Sequence, residues 1–166
     1  MRHDNVLKTI RRFIAHPPIN TSLYCSGKVA GYALWVWYLI SLVFRAGEFS
    51  NDYLITSISL TIFVGGLILV LLALVSLGRS TRIGLPVETT RLRTGGVYQL
   101  SRNPMYVAFT MFSVAAVVYL REPVSILLAV YSTTVHHFII LGEEEFLRRR
   151  FGGAYLDYTR RVRRYL

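Results

Sequence analysis

The chain is poor in charge and in cysteine, and each shortage excludes a class of protein. Only 17% of its 166 residues are charged, whereas 53% are hydrophobic and the mean hydropathy is +0.43. Soluble domains rarely combine these values. Cys25 is the only cysteine, so an intramolecular disulfide and a cysteine-based metal cluster are both excluded. It is interpreted as a free thiol, with lipidation as the alternative.

Several catalytic motifs are also missing. The sequence contains no Walker motif, no G-x-G-x-x-G, no H-E-x-x-H and no G-x-S-x-G. Of four histidines, only His136 and His137 lie in an apolar run, and neighbours on a helix point about 100° apart, which makes a poor chelate. No metal site is therefore expected. The pair is interpreted either as functional or as packed against a backbone partner.

Four apolar segments dominate what is present. The segments are Gly27–Phe44, Tyr53–Leu77, Pro104–Leu120 and Pro123–Leu141. Each can cross a bilayer core of roughly 30 Å at about 1.5 Å per residue, with slight thinning for the shorter ones. The sequence thus predicts an all-α membrane protein with four transmembrane helices in one domain. Residues 1–26 form an interfacial segment, 27–77 the first two spans, and 78–166 a region with spans three and four and C-terminal helices.

The first span and the segment before it carry more specific signals. Gly27 and Gly31 form a G-x-x-x-G that would allow close helix contact. Trp35, Trp37 and Tyr38 lie too centrally for a simple interfacial belt, so some are expected to pack against other helices. Residues 4–15 predict a basic amphipathic helix in the headgroup layer, with a disordered basic tail as the alternative.

Basic residues predict the orientation of the chain. Five Lys and Arg precede Val29, five lie in 78–103 and seven follow 147, so one face carries 17 and the other 2. Because positive charge marks the cytoplasmic side, both termini and the 78–103 loop are expected there, N-in and C-in. The net charge of +10 is assigned to anionic lipid headgroups and not to nucleic acid. In a prokaryote the membrane would be the cell inner membrane.

Two polar segments then emerge on one face, at the same end of the hairpin of spans three and four. They read "GVYQLSRNPMY" and "GEEEFLRRRFGGAYLDY". The N-terminus of the third span and Arg102 suit a carboxylate, Glu143 and Glu144 suit an ammonium or ribose hydroxyls, and tyrosines suit an aromatic base or a cation. S-adenosylmethionine is a ligand that would use all of these groups.

These segments also resemble the C-terminal signature of the isoprenylcysteine carboxyl methyltransferase family, whose superfamily includes phospholipid methyltransferases. The family pattern reads roughly G-x-Y-x-x-x-R-H-P-x-Y, a span, E-E, then F-G-x-x-Y-x-x-Y-x-x-R-V-P-R. The resemblance covers about residues 88 to 166. The matching positions are Gly96, Tyr98, Arg102, Pro104, Tyr106, Glu143, Glu144, Phe151, Gly152, Tyr155, Tyr158, Arg161, Val162 and Arg164.

The chain departs from this pattern at two positions. Asn103 stands where the family most often has His, and Arg163 stands where it often has Pro. Asn keeps a hydrogen-bond donor and acceptor but does not titrate, which excludes a general base at 103. Contact with a cofactor stays compatible with Asn. The Arg163 change affects chain stiffness only.

The resemblance implies an integral membrane methyltransferase that uses S-adenosylmethionine and has its active site at the cytoplasmic surface. Its acceptor would be lipid-like or lipid-modified and would enter sideways from the bilayer. Arg102 and Glu144 are the implied catalytic residues. The implied cofactor-binding residues are Tyr98, Gln99, Leu100, Ser101, Arg102, Asn103, Pro104, Tyr106, His137, Glu143, Glu144 and Tyr155.

Other functions stay open at this level. An amine headgroup or a small thiol would serve the same donor. A small four-span transporter is disfavoured because every Asp and Glu falls in a loop or at the end of a span. A non-catalytic membrane partner is suggested only by Asn103. Taken singly, the Arg-Asn-Pro segment reads as a capped loop, the glutamates as a helix N-terminus and the arginine-rich tail as a membrane-surface face.

Overall fold

The structure is a computed structural model that describes residues 19–44, 52–77 and 92–166. The described part is helical. Its elements are α1 (Thr21–Phe44), α2 (Tyr53–Leu77), a 3-10 helix (Gly96–Gln99), α3 (Pro104–Leu120), α4 (Pro123–Phe151) and α5 (Gly153–Arg161). The predicted N-terminal amphipathic helix and residues 78–91 of the polar loop lie outside the described residues.

Local signals fix where the helices begin and end. The side-chain oxygen of Asn20 accepts from the backbone N–H of Ser22 at 2.9 Å at the start of α1. Asp52 caps α2 in the same way, and its carboxylate accepts from Leu54 at 3.0 Å. Such side chains satisfy backbone donors that have no partner within the helix. Prolines occupy the first turns of α3 and α4, where the missing N–H is not needed.

Helix α1 packs antiparallel to α4 through its two glycines. A methyl group at Gly27 would collide with the side chain of Val135, and one at Gly31 would come within 2.6 Å of Ser132 Oγ. The predicted close contact at the G-x-x-x-G is therefore confirmed. Because α4 carries the polar residues of the candidate site near its C-terminal end, this contact places the start of α1 beside them.

Helix α2 packs against α3, and aromatic residues of α1 fill the centre of the bundle. Ser59 donates to the backbone oxygen of Ala115 at 3.0 Å, and its Oγ lies 2.8 Å from the hydroxyl of Tyr38. Tyr38 is fully buried, and Trp35 donates to Ser113 at 3.1 Å. The expectation that these central aromatics pack against other helices is confirmed.

The predicted spans agree with the helices in two cases and differ in two. Helices α2 and α3 have the expected bounds, whereas α1 begins more than a turn before Gly27 and α4 continues nearly three turns beyond Leu141. The glutamates thus lie inside a helix and do not begin one. Nothing in "EEEFLRRRF" is a helix breaker, so the helix stops only at Gly152, which has a positive φ of 51°.

The protein is a multi-pass membrane protein. Three helices are long and apolar enough to cross a membrane, and their surfaces are mostly apolar and exposed: α1, α2 and α4. Helix α3 is apolar but shorter, with 17 residues. The count of four spans and the N-in, C-in orientation remain predictions.

Candidate active site

Three segments meet at the end of the bundle where α3 begins and the apolar part of α4 ends. The loop before α3 is bound to the segment after α5 by backbone and side-chain hydrogen bonds. Arg102 N–H donates to the backbone oxygen of Arg163 at 2.9 Å, and Ser101 Oγ donates to that of Arg164 at 3.2 Å. The hydroxyl of Tyr158 donates to the backbone oxygen of Tyr98 at 2.6 Å. The two polar sequence segments therefore do come together in space.

Glu144 is the centre of this junction. Its Oε1 lies 3.1 Å from Arg102 Nη2 and 3.3 Å from Asn103 Nδ2, and its Oε2 accepts from Arg164 at 2.8 and 3.0 Å. The side chains of Arg102 and Glu144 are only 11% and 12% exposed. This bonding to Glu144 raises the pKa of Arg164. We call Arg102, Asn103, Glu144 and Arg164 the Glu144 cluster.

A cavity of about 350 Å³ opens beside the Glu144 cluster. Its lining is charged and polar, and the lining residues are Arg102, Leu141, Glu144, Glu145, Arg148, Tyr155, Thr159 and Arg164. The volume falls within the usual range for small-molecule sites. Three arginines and two glutamates around one space suit a ligand that carries charges of both signs.

Two buried donors at this cavity have no hydrogen-bond partner among the described residues. They are the hydroxyl of Tyr155 and Nε of Arg102. Tyr155 is 2% exposed, and burial, followed by the charge of Glu144, raises the pKa of its hydroxyl to about 12. The hydroxyl therefore keeps its proton at neutral pH and can donate. A buried donor without a partner is costly, so a bound ligand is a natural acceptor for it.

Glu143 faces a different environment from its neighbour. It accepts from the hydroxyl of Tyr106 at 2.9 Å, and the ring of Tyr106 stacks near that of His136 with centroids 5.6 Å apart. The ammonium of Lys28 on α1 acts electrostatically on both Glu143 and His136. The two adjacent glutamates thus belong to separate groups of residues.

The structure distributes the remaining predicted site residues unevenly. Leu100 is 68% exposed and stands away from the cavity. Gln99 lines a second cavity of about 300 Å³ with Tyr158 and Arg161. Pro104 is buried in the first turn of α3, and Nδ1 of His137 lies 2.6 Å from the hydroxyl of Tyr165. The cavity beside Glu144 is lined by none of the side chains of Leu100, Gln99, Pro104 and His137.

The backbone oxygen of Tyr98 accepts the hydrogen bond from the hydroxyl of Tyr158. Burial raises the pKa of the Tyr98 hydroxyl to about 12, and the neighbouring Tyr158 and Glu143 add to the rise. Burial, followed by the neighbouring Tyr155, also raises the pKa of the Tyr158 hydroxyl to about 12. Both tyrosines are therefore neutral donors at physiological pH, and Tyr158 uses its proton to hold the loop.

Sequence reasoning missed several residues that line the cavity. Thr159 and Arg148 are among them, and neither was selected as a site residue. A spacing signal existed for Thr159, since it follows Tyr155 by one helical turn and must share its face. Lys28 was counted only as a charge. Its position inside an otherwise apolar helix was the available signal.

Comparison with known proteins assigns the family. A family model described as phospholipid methyltransferase matches residues 54–154. Protein-S-isoprenylcysteine O-methyltransferases B and A of Arabidopsis thaliana are 33% and 31% identical to the chain, each over 75% of its length. A probable protein-S-isoprenylcysteine O-methyltransferase of Oryza sativa subsp. indica is 30% identical over 69% of it. The chain belongs to the phospholipid methyltransferase family.

A solved structure shares the fold. The eukaryotic intramembrane Ras methyltransferase ICMT (isoprenylcysteine carboxyl methyltransferase) superposes with a TM-score of 0.63 and 27% identity over 87% of the chain. The chain spans 65% of the length of each Arabidopsis relative and 52% of the length of that structure. The likeness therefore concerns the part of those proteins that this chain matches.

Proposed function

We propose that the protein is an integral membrane methyltransferase that takes its methyl group from S-adenosylmethionine. The observation that carries the proposal is the cavity beside Glu144. Three arginines and two glutamates line it, and two of its lining residues have a buried donor without a partner among the described residues. Membership of the phospholipid methyltransferase family supports it. The likeness to isoprenylcysteine O-methyltransferases supports it independently.

The cavity residues fit the donor chemically. Arg102 Nε and the protonated hydroxyl of Tyr155 offer two unused hydrogen-bond donors to a carboxylate. Glu145 lines the cavity and offers carboxylate oxygens to an ammonium or to ribose hydroxyls. Both oxygens of Glu144 are already taken by arginines, so its proposed role is to hold Arg102 and Arg164 in place.

When bound, S-adenosylmethionine supplies a methyl group already activated on a sulfonium. The methyl carbon would pass to an acceptor oxygen and the electron pair of the C–S bond would stay on sulfur, while Arg102, Tyr155 and Glu145 would hold the donor. The chain has to align the two reactants and exclude water, and does not need a strong acid or base. Asn103 fits this scheme, because it holds Glu144 and the backbone of Arg164 without titrating.

The proposed acceptor is lipid-like, of the isoprenylcysteine-carboxylate type, and reaches the site from the bilayer. The site lies where α3 and α4 leave the apolar part of the bundle, so an apolar tail can stay among the helices while the reacting group meets the cavity. The distribution of basic residues supports a site at the cytoplasmic surface, in the proposed N-in, C-in orientation. An amine headgroup is the second candidate, favoured by the family model's description as phospholipid methyltransferase.

The test is equilibrium binding of S-adenosylmethionine to the full chain in nanodiscs, followed by transfer of a labelled methyl group to N-acetyl-S-farnesylcysteine. The variant is Arg102→Gln, which removes the guanidinium at the cavity. The matched control is Arg160→Gln, since Arg160 is 79% exposed and forms an exposed ion pair with Asp157 of the same helix. We expect binding to weaken at least about tenfold in the first variant and to be unchanged in the second. Absence of binding by folded wild-type protein would refute the proposal.

A further inference from the structure

The second turn of α1 carries a cation that the proposed methyl transfer does not yet use. Lys28 is half-buried, and its ammonium lies 2.5 Å from the hydroxyl of Tyr24 and 4.2 Å from the centre of that ring. Among the residues that the structure describes, no carboxylate lies within ion-pair distance of Lys28. An ammonium on an apolar membrane helix is costly without an anionic partner, and such residues commonly serve function.

The turn of α1 that carries Lys28 packs against α4, and Lys28 itself is only partly exposed. Its neighbour Gly27 packs directly on Val135 of α4, so the second turn of α1 lies against the face of α4 that leads to His136 and Glu143. The charge of Lys28 acts on both of those side chains. Glu143 accepts from the hydroxyl of Tyr106 at 2.9 Å and lies beyond ion-pair distance of Lys28. Among the described residues, Lys28 therefore has no carboxylate in direct contact.

Aromatic rings continue from this point into the bundle. Tyr32 follows Lys28 by one helical turn and meets Trp35 edge to face at 5.5 Å. Trp35 in turn contacts Phe109 at 5.3 Å, and Phe109 contacts His136 at 5.7 Å. Tyr32 is 52% exposed, so these rings begin at the outer surface of the helices. A surface of aromatic rings with one cation at its polar end suits a molecule with an apolar tail and an anionic head.

We propose that Lys28 binds the carboxylate of the methyl acceptor and selects an anionic acceptor over an amine headgroup. The inference rests on the proposed function and specifies the acceptor class of that site. Lys28 would hold one carboxylate oxygen while the other reacts, so that a carboxylate and a sulfonium become a neutral ester and a neutral thioether. A cationic amine headgroup would meet the like charge of Lys28 and be repelled.

The test compares an acid with its neutral amide. N-acetyl-S-farnesylcysteine and its carboxamide share the same tail and differ in the charge of the head. We expect Lys28→Met to weaken equilibrium binding of the acid, and to raise its KM, by at least about tenfold, with kcat changed less. Binding of the amide and of S-adenosylmethionine should change by no more than about twofold. Lys28→Arg should retain most of the affinity for the acid, because it keeps the charge.

The controls separate this inference from the proposed function. Arg160→Met removes an exposed charge from α5 and should leave the binding of both the acid and the amide unchanged. Equal losses for acid and amide in Lys28→Met, or equal affinity of the wild type for both, would overturn the assignment and leave Lys28 as an anchor for bilayer phosphate. Failure of the wild type to bind S-adenosylmethionine would instead refute the methyltransferase proposal, whichever way the acid and amide compare.

Discussion

Glu143 and Glu144 are neighbours in the chain, yet the structure gives them opposite surroundings. Glu144 is shared by Arg102 and Arg164 at 3.1 and 2.8 Å and lines the polar cavity. Glu143 faces the helices, where it accepts a hydrogen bond from the hydroxyl of Tyr106. Successive residues on a helix point about 100° apart, so one turn of α4 serves two regions. Helix α4 therefore separates the charged region around Glu144, which we propose binds the cofactor, from the region around Glu143, which we propose receives the acceptor.

The largest expected effect comes from neutralising the shared carboxylate. Glu144→Gln leaves two buried or half-buried arginines without their anion, and the free energy of unfolding should fall by roughly 3 kcal/mol. Affinity for S-adenosylmethionine should fall with it, because Arg102 loses its position. Thermal unfolding in detergent and equilibrium binding measure the two effects.

The neighbouring Glu145 provides a matched control for this change. Its pair with Arg149 is exposed, with side chains 47% and 78% exposed, so Glu145→Gln should alter the free energy of unfolding by no more than about 0.5 kcal/mol. Equal destabilisation by the two variants would contradict the central role of Glu144.

The second prediction concerns the other glutamate. Tyr106→Phe removes the hydroxyl that Glu143 accepts from, and should cost about 1 kcal/mol of unfolding free energy. It should raise the KM for the acceptor while leaving S-adenosylmethionine affinity unchanged, because Tyr106 does not line the cavity. Steady-state kinetics with varied acceptor measure the shift.

Tyr119→Phe is the matched control for Tyr106→Phe. The hydroxyl of Tyr119 donates to the backbone oxygen of Ser41 at 3.2 Å, deep in the bundle and far from both glutamates. We expect a comparable loss of stability with no change in acceptor KM. If Tyr106→Phe and Tyr119→Phe raised the KM for the acceptor equally, the acceptor would not bind specifically near Glu143.

A smaller effect is expected at Asn103. Asn103→Ala deletes two long hydrogen bonds, 3.3 Å to Glu144 and 3.2 Å to the backbone oxygen of Arg164, and should cost about 1 kcal/mol or less. Asn103→His restores the residue most common in the family pattern and keeps one ring donor, so it should lose less. Melting temperatures of the two variants in the same detergent decide this order, and a greater loss in the His variant would show that amide geometry matters.

The smallest effect on stability is expected at Tyr155. Its hydroxyl has no partner among the described residues, so Tyr155→Phe should keep the free energy of unfolding within about 0.5 kcal/mol of wild type. Affinity for S-adenosylmethionine should nevertheless fall several-fold, because the proposed ligand loses a donor. Unchanged affinity would remove Tyr155 from the cofactor region. Calorimetric titration of both proteins gives the answer.

Much of the helical pattern was predictable because it depends on local chemistry. The bounds of α2 and α3 follow from uninterrupted apolar runs and from a proline in the first turn of α3. Helices α1 and α4 extend beyond the predicted spans, at the start of α1 and at the end of α4, because polar residues such as those from Glu143 to Arg150 do not stop a helix. Polar residues only prevent a helical segment from lying in lipid. Hydropathy therefore marks the boundary of the bilayer and not the end of the helix.

Several residues of the candidate site were predictable by type, but their pairings were not. Residue type and family pattern selected Arg102, Asn103, Glu143, Glu144 and Tyr155 together. Which glutamate meets the arginines depends on the rotation of α4 against α3, and a sequence does not contain that angle. The same limit explains why Lys28 was overlooked, since its nearness to Glu143 arises only when α1 packs on α4.

The sequence by itself determined the membrane-embedded helices, the family and the set of polar residues at one end of the bundle. Composition is sufficient for the helices, because burial in lipid acts on each segment separately, whereas the family was recognised from the resemblance of the motifs that contain Arg102, Glu144 and Tyr155. The tertiary structure alone decided that Glu144 is bound by two arginines, that Glu143 is not, and that Tyr155 keeps an unused proton. Those outcomes depend on the close contacts between separate helices at Gly27, at Gly31 and at the loop before α3. The distances at these contacts decide which side chains can form a hydrogen bond or an ion pair.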